Sequence, residues 1–385
     1  MKIIFIDWKS YGKDDIKKVM KAMGHTVVDF YHKDYKLRKS DSFMDAFDSF
    51  VQKNGADLVF SSNYFPMVSN VCNAHNIPYV SWVYDCPFLA LYSTTVLNPC
   101  NRIYVFDSST YNDFHSSGIE TFRYLPLAAP IDRLDAMVPD FSIHQKLDCD
   151  ISFVGSMYDE AHNFFDDNFQ NLPAYSRGYL DAIMQAQLGI YGENIIEPLL
   201  KGQVLEDIRN AVHYTPMSDG AETDTYVYSR FFIERKITSM ERKALLGRIS
   251  EQFHVKLYTH NPVPYLPKVD YVGPIDYIDV MPYVFKCSKI NLNITLRSIH
   301  TGIPLRAFDI MGSGGFLLTN FQADFLEYFE PDKDFVYFES PEDLTDKCRF
   351  YLAHDEIRQK IEKSGYEKVK AHHTYEARLK EMLVI

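Results

Sequence analysis

Apolar and polar positions switch between two periods along the first 130 residues. Ile3 to Ile6 form a short apolar run, and Ile16, Val19, Met20 and Met23 then recur at helical spacing until Gly24. Thr26 to Phe30 reads as a strand. Phe43, Phe47, Phe50 and Val51 line one face of a second helix, which Gly55 stops. Further strands are predicted at Leu58 to Phe60, Tyr79 to Tyr84, Ile103 to Phe106 and Phe122 to Leu125. Helices are predicted over Pro66 to His75 and Tyr111 to Ser116. Strands alternating with helices over short connections predict a parallel sheet covered on both faces. No GxGxxG follows the first strand, so the dinucleotide fingerprint is missing.

Pro126, Pro130 and Pro139, with Asp132, Asp135 and Asp140 among them, read as a linker. A second series starts at Ile151 to Val154, with Gly155 directly behind it. A mostly helical insertion is expected at about 159–228, then a long helix over Ser229 to Gln252. Strands follow at Val255 to Tyr258, Tyr271 to Val272, Ile290 to Ile294, Phe316 to Thr319 and Phe335 to Phe338. The helices between them are Tyr277 to Lys286, Leu305 to Met311 and Ala323 to Phe329, and the chain ends in helices from Pro341. The expected fold class is therefore α/β, with two Rossmann-like domains whose parallel sheets face each other across a cleft. The domains are drawn at 1–135 and 136–365, with a terminal helix at 366–385 packing back on the first. Ligands of such sheets bind beyond the carboxyl ends of the strands, so the cleft is the default site.

Composition narrows the function. The net charge of −12 and the lack of a basic stripe argue against a nucleic-acid partner. The densest basic stretch, Lys33 to Lys39, reads as a solvated loop. Six cysteines at wide spacings, with no CxxC, suggest reduced thiols in a cytoplasm. No apolar run has the length of a transmembrane segment or of a signal-peptide core.

The segment Arg297 to Thr319, RSIHTGIPLRAFDIMGSGGFLLT, carries the densest chemistry. Gly302 lets the backbone approach a ligand. Pro304 stands at or near a helix start, where its missing donor costs nothing and the free backbone N–H groups of the helix N-terminus form an anion site. Arg297 and Arg306 add positive charge for a diphosphate, and Asp309 is placed to accept from ribose hydroxyls. From pattern alone the stretch reads equally well as a glycine-rich helix–strand junction.

This stretch resembles the nucleotide-sugar site of GT-B glycosyltransferases of the group 1 (family 4) type. Asp309-Ile310-Met311-Gly312-Ser313-Gly314 matches their Glu-Ala-Met-Ala-x-Gly, with Asp in place of the ribose-binding Glu. The first Glu of the family's paired-Glu pattern falls at Thr301 and is absent, which leaves inverting or retaining stereochemistry open. Gly-Ile-Pro-Leu-Arg-x-Phe-Asp is more similar to the CgeB-like (spore maturation protein) branch, as are WVYDCP at 82–87, YLPLAA at 124–129 and DISFVGS at 150–156. The resemblance implies a UDP-, GDP- or dTDP-linked donor bound by Arg297, His300, Thr301, Gly302, Ile303, Pro304, Arg306 and Asp309. Gly273, Pro274 and Ile275 would run beside the nucleobase. An ordinary Gly-Pro turn explains those three residues equally well.

Asp85, just past a buried strand, is the candidate general base for the acceptor. A turn or helix cap before Pro87 is the competing reading, and Asp107 is a weaker rival base. Asp148-Cys149-Asp150 spells DxD but precedes its strand, so no metal site is assigned and no cofactor is expected. The expected activity is metal-independent glycosyl transfer to a protein, polysaccharide or small-molecule acceptor. A nucleotide-sugar epimerase and a catalytically silent nucleotide-sugar-binding module remain as alternatives.

Overall fold

Each apolar run of the first series becomes a strand in the computed structural model, which describes residues 1–159 and 163–384. The strands are β1 (Lys2–Ile6), β2 (Thr26–Phe30), β3 (Leu58–Ser62), β4 (Tyr79–Val83), β5 (Asn101–Val105) and β6 (Phe122–Tyr124). They form one sheet in the order β2-β1-β3-β4-β5-β6, with every pair parallel. Strands β3 and β4 are buried along their whole length, as strands covered on both faces must be. The helix Asp41–Asn54 turns Phe43, Phe47 and Val51 onto the sheet. Each such buried side chain contributes about 1.5–3 kcal/mol.

The second series gives β7 (Cys149–Val154), β8 (Val255–Tyr258), β9 (Asp270–Tyr271), β10 (Ser288–Asn293), β11 (Leu317–Asn320) and β12 (Val336–Phe338). Their order is β12-β11-β10-β7-β8-β9, again all parallel. The chain leaves β7 in one direction for β8 and β9. It returns on the other side for β10, β11 and β12. The order therefore reverses between β7 and β10, and doubly wound sheets bind ligands in the crevice at such a point.

The chain divides into two compact units that are not continuous in sequence. Unit 1 is Met1–Pro130, Pro216–Glu222 and His372–Ile385; unit 2 is Ile131–Thr215 and Thr223–Ala371. The expected linker does hold a boundary between the units, at Pro130/Ile131, but it is helical and not an extended connection. Ile131–Ala136 and Phe141–Leu147 are helices with Ile131, Leu134 and Leu147 buried, and Asp140 caps the second through Ile143 N at 2.9 Å. Pro130 and Pro139 stand just before these two helices. The insertion holds the helices Phe164–Phe169, Ala174–Leu188, Ile196–Leu199 and Gly202–Ala211. Residues 160–162 of the expected insertion and Ile385 of the expected terminal helix lie outside the described residues.

One piece of that insertion belongs to unit 1. Gly220 forms an antiparallel bridge with Ser93, and Ala221 N donates to Tyr92 O at 2.8 Å. Arg38 reaches Asp219 at 3.3 Å and Glu222 at 3.2 Å, and the Glu222 side chain is 1% exposed. All six cysteines are free thiols. Among the described residues no helix is long and apolar enough to cross a membrane.

Candidate functional site

The reversal point of the second sheet is spanned by one side chain. Arg242 lies on the helix Glu234–Ser250 and is 7% exposed. Its Nη1 donates to Ser156 O, just past β7, at 2.5 Å, and its Nε donates to Ile294 O, just past β10, at 3.2 Å. Nη2 also donates to Ile294 O. The guanidinium lies over the rings of Phe153 and Tyr158, at 5.2 and 4.9 Å. A Cβ at residue 155 would come within 3.3 Å of Phe153 and 3.5 Å of Arg242, so Gly155 leaves room for this arrangement. Burial lowers the Arg242 pKa, and the nearby Arg306 adds to the effect. Arg242 ion-pairs with no carboxylate among the described residues. A buried cation without an ion-paired carboxylate is costly unless an anion joins it.

The glycine-rich segment folds as its pattern predicts. Pro304 caps the helix Leu305–Gly312 with extended backbone, and Ala307 N donates to Pro304 O at 3.0 Å. The N–H groups of Leu305 and Arg306 thus open the helix. At its other end, a Cβ on residue 315 would fall 2.6 Å from Asn291 Nδ2 and 2.8 Å from Phe285 O, so only glycine fits. The preceding loop is pinned from two sides. Gln322 Nε2 donates to Ile299 O and Gly302 O at 3.1 and 3.2 Å, and Asp324 N donates to Thr301 O at 3.0 Å. Gly302, Ile303 and Pro304 are buried, while Thr301 is partly exposed.

Asp309 is 2% exposed. The Tyr277 hydroxyl donates to both of its oxygens, at 3.0 and 3.2 Å, and Arg306 Nη1 stands 3.5 Å away. Burial pushes its carboxyl up to about 6, against the pull of Arg306, Tyr277 and Arg133. Arg306 also lies over Phe285 at 5.7 Å and touches Met281 Sδ. The Tyr277 contact brings the loop after β9 alongside Asp309. Gly273 is buried there, Pro274 is exposed and Ile275 is intermediate.

Arg297 has a different task from the one its position suggests. Its Nε and Nη2 grip the two oxygens of Glu241, both at 2.8 Å, and Nη1 donates to Ile190 O at 2.7 Å. The guanidinium is stacked 4.4 Å over Tyr191. Burial disfavours its charge, but Glu241 outweighs that and holds its pKa above the usual value. It braces the loop, and its donors are committed to protein groups rather than aimed at a diphosphate. His300 is partly exposed and contacts Glu234, Nε2 to Oε2, at 3.4 Å.

On unit 1, Asp85 lies two residues past β4 and is exposed. Asn63, in left-handed conformation at φ 67°, organises it. The Asn63 Oδ1 accepts from Tyr84 N at 2.8 Å and Asp85 N at 3.2 Å, and its Nδ2 donates to Asp85 Oδ2 at 2.7 Å. Surrounding protein raises the Asp85 pKa, with the Asn63 bond pulling the other way. Asp107 is 1% exposed and caps the helix Ser108–Ser116 through Ser109 N at 3.0 Å, which gives it a structural task. Of the DxD residues, Asp148 pairs with His144 at 3.0 Å and Asp150 with Lys289 at 2.9 Å. They sit at the start of β7, the end opposite Arg242. His144, Asp148 and Cys287 bring three ligand-type atoms within 4.8 Å of one another there.

Arg242, Glu234, Tyr277 and Asn63 were not singled out from the sequence. One signal existed: Glu234, Thr238, Glu241 and Arg242 share a helical stripe with Leu245 and Ile249, so charges occupy core positions.

Residues 235–384 match a family model described as glycosyl transferase-like. No curated protein sequence matches the chain. Solved structures do. A glycosyltransferase from Rickettsia africae is similar at TM-score 0.58 and 10% identity, covering 99% of this chain and 96% of that one. A sucrose-phosphate synthase from Thermosynechococcus elongatus aligns at TM-score 0.58 and 12% identity, over 99% and 97%. Anabaena HepE, in complex with UDP and glucose, aligns at TM-score 0.54 and 10% identity, over 99% and 98%. The fold is GT-B. Within this GT-B chain, the matched segment runs from the helix bearing Arg242 through Asp309 to the terminal helices.

Proposed function

We propose that the protein is a glycosyltransferase whose unit 2 binds a nucleoside-diphosphate sugar. The observation that carries this reading is Arg242, a buried cation bridging the ends of β7 and β10 at the sheet's reversal point. A diphosphate there meets Arg242, Arg306 and the amides that open the helix Leu305–Gly312. These groups neutralise the charge that develops on the leaving diphosphate, so transfer proceeds without a divalent metal. Asp309 accepts from the ribose hydroxyls, and the loop Gly273, Pro274 and Ile275 flanks the base. The likeness of the fold to HepE, solved with UDP-glucose, supports trying uridine first. Asp85 takes the proton from an acceptor hydroxyl on a glycan, protein or small molecule, and Asn63 aims it.

Two measurements test this. UDP at 100 times its Kd, without metal, stabilises the fold by about 2.7 kcal/mol; thermal melting reads it, and a shift seen only with Mg²⁺ or Mn²⁺ sinks the metal-free site. Asp85→Asn keeps UDP affinity while transfer falls by roughly 10²–10⁴. Unchanged transfer would remove Asp85 from the mechanism, and an early melt would make it a structural cap.

A further inference from the structure

The polar cluster behind His300 has no task in the scheme above. It sits where the helix leading to Arg242 widens into a π-helical turn, Tyr228–Ile233. Such turns recur at functional sites because they re-aim side chains. Here the turn joins residues five apart: Ser229 Oγ donates to Glu234 Oε1 at 2.6 Å. A regular α-helix places such a pair on different faces. Glu234 is fully buried, and Arg230 lies 4.0 Å from its other oxygen. Its carboxyl is held below the ordinary range, because Arg230, His300 and Ser229 outweigh burial.

A buried carboxylate is an expensive way to fill a helix face. What it holds is the donor loop. Arg230 Nη1 donates to Ser298 O at 3.0 Å, and Ser298 Oγ donates back to Arg230 O at 2.7 Å. Two residues on, His300 Nε2 stands 3.4 Å from Glu234 Oε2. Along the chain, Asp309 is the ribose end of the donor site, the helix opening is the diphosphate, and His300 comes before it.

We propose that Glu234 and Arg230 are positioning residues that hold the His300 imidazole against the transferred sugar, so that this cluster reads sugar hydroxyls and not the nucleotide. The inference rests on the donor reading above. Glu234 is sealed from any ligand and acts only through His300. By accepting from Nε2–H it fixes the tautomer in which Nδ1 is the acceptor nitrogen.

The test compares UDP-glucose, GDP-mannose and dTDP-glucose, each beside its nucleoside diphosphate, on wild type, His300→Ala, Glu234→Gln and the double variant. Nucleoside-diphosphate affinity stays within about twofold throughout. Turnover of the accepted donor falls at least tenfold in both single variants, and the double variant is no worse than His300→Ala. Nitrogen NMR of the imidazole shows Nε2–H in wild type and a changed tautomer balance in Glu234→Gln. Additive losses overturn the proposal, as does diphosphate affinity falling in step with turnover. If no nucleoside diphosphate binds wild type, the donor reading itself fails. The imidazole spectrum of the protein alone then judges the cluster, and an Nδ1–H tautomer overturns it. Should Glu234→Gln fail to fold, His300→Ala and that spectrum decide.

Discussion

Asp309 concentrates the conflict between stability and binding into one residue. Its folded pKa of about 6 lies above the ordinary Asp value of 3.8. The folded state therefore holds the proton more tightly than the unfolded chain does. Stability from this group is complete below pH 3.8 and is lost as pH rises through 6. Ionisation costs the fold roughly 3 kcal/mol at neutral pH. Asp309→Asn removes that cost and keeps an oxygen for the Tyr277 hydroxyl. Melting of the variant and wild type should agree near pH 4 and diverge by up to about 3 kcal/mol in the variant's favour at pH 8. A gap that narrows with rising pH would contradict the assignment. The same substitution should weaken UDP binding, because ribose hydroxyls favour the ionised acceptor. Asp309 was legible because it stands in a recognisable motif. Arg242 was not, since only the fold shows that a lone arginine on a mixed helix spans two strand ends.

Among the elements, the strap Pro216–Glu222 departs most from a sequence reading. Strands buried on both faces declare themselves locally: β3 and β4 coincide with apolar runs, because such burial leaves few positions for polar residues, whereas β9 is exposed at both of its residues. The helix Leu305–Gly312 was equally plain from its proline and glycines. The strap has no such signature. It is held by pairings with residues more than a hundred positions away: Arg38 to Asp219 and Glu222, and Ser93 Oγ to Asp219 Oδ2 at 2.6 Å. The π-helical turn was hidden for a related reason, since its residues fit an ordinary helix until Ser229 and Glu234 meet. The strap makes a direct prediction. Arg38→Ala leaves the Glu222 carboxylate buried without its guanidinium and should destabilise unit 1 by about 3 kcal/mol. Adding Glu222→Gln should recover much of that. Denaturant unfolding followed by the two tryptophans, Trp8 and Trp82, reads unit 1 alone because both belong to it. An unchanged midpoint in Arg38→Ala would show that the strap is not held by this pair.

At the scale of the whole chain, unit 1 is closed by its last residues. Tyr375, Leu379 and Met382 are buried, and the helix Tyr375–Met382 contacts the helix Lys13–Ala22. Arg378 Nε donates to Pro126 O at 2.8 Å, and Tyr375 meets Trp82 edge-on at 5.8 Å. A chain ending at Ala371 should lose roughly 5 kcal/mol or more from unit 1. Its tryptophan emission should shift to the red, while UDP still binds unit 2. Intact emission with lost UDP binding would mean that the terminal helix serves the other unit. The same closure orders events at the ribosome. The first sheet emerges well before the helix that seals it. Residues 131–371 must be synthesised in between, which takes roughly 10–50 s at about 5–20 residues per second. Through that interval the apolar groups that meet this helix, Trp82 of β4 among them, wait uncovered, a natural landing place for a chaperone.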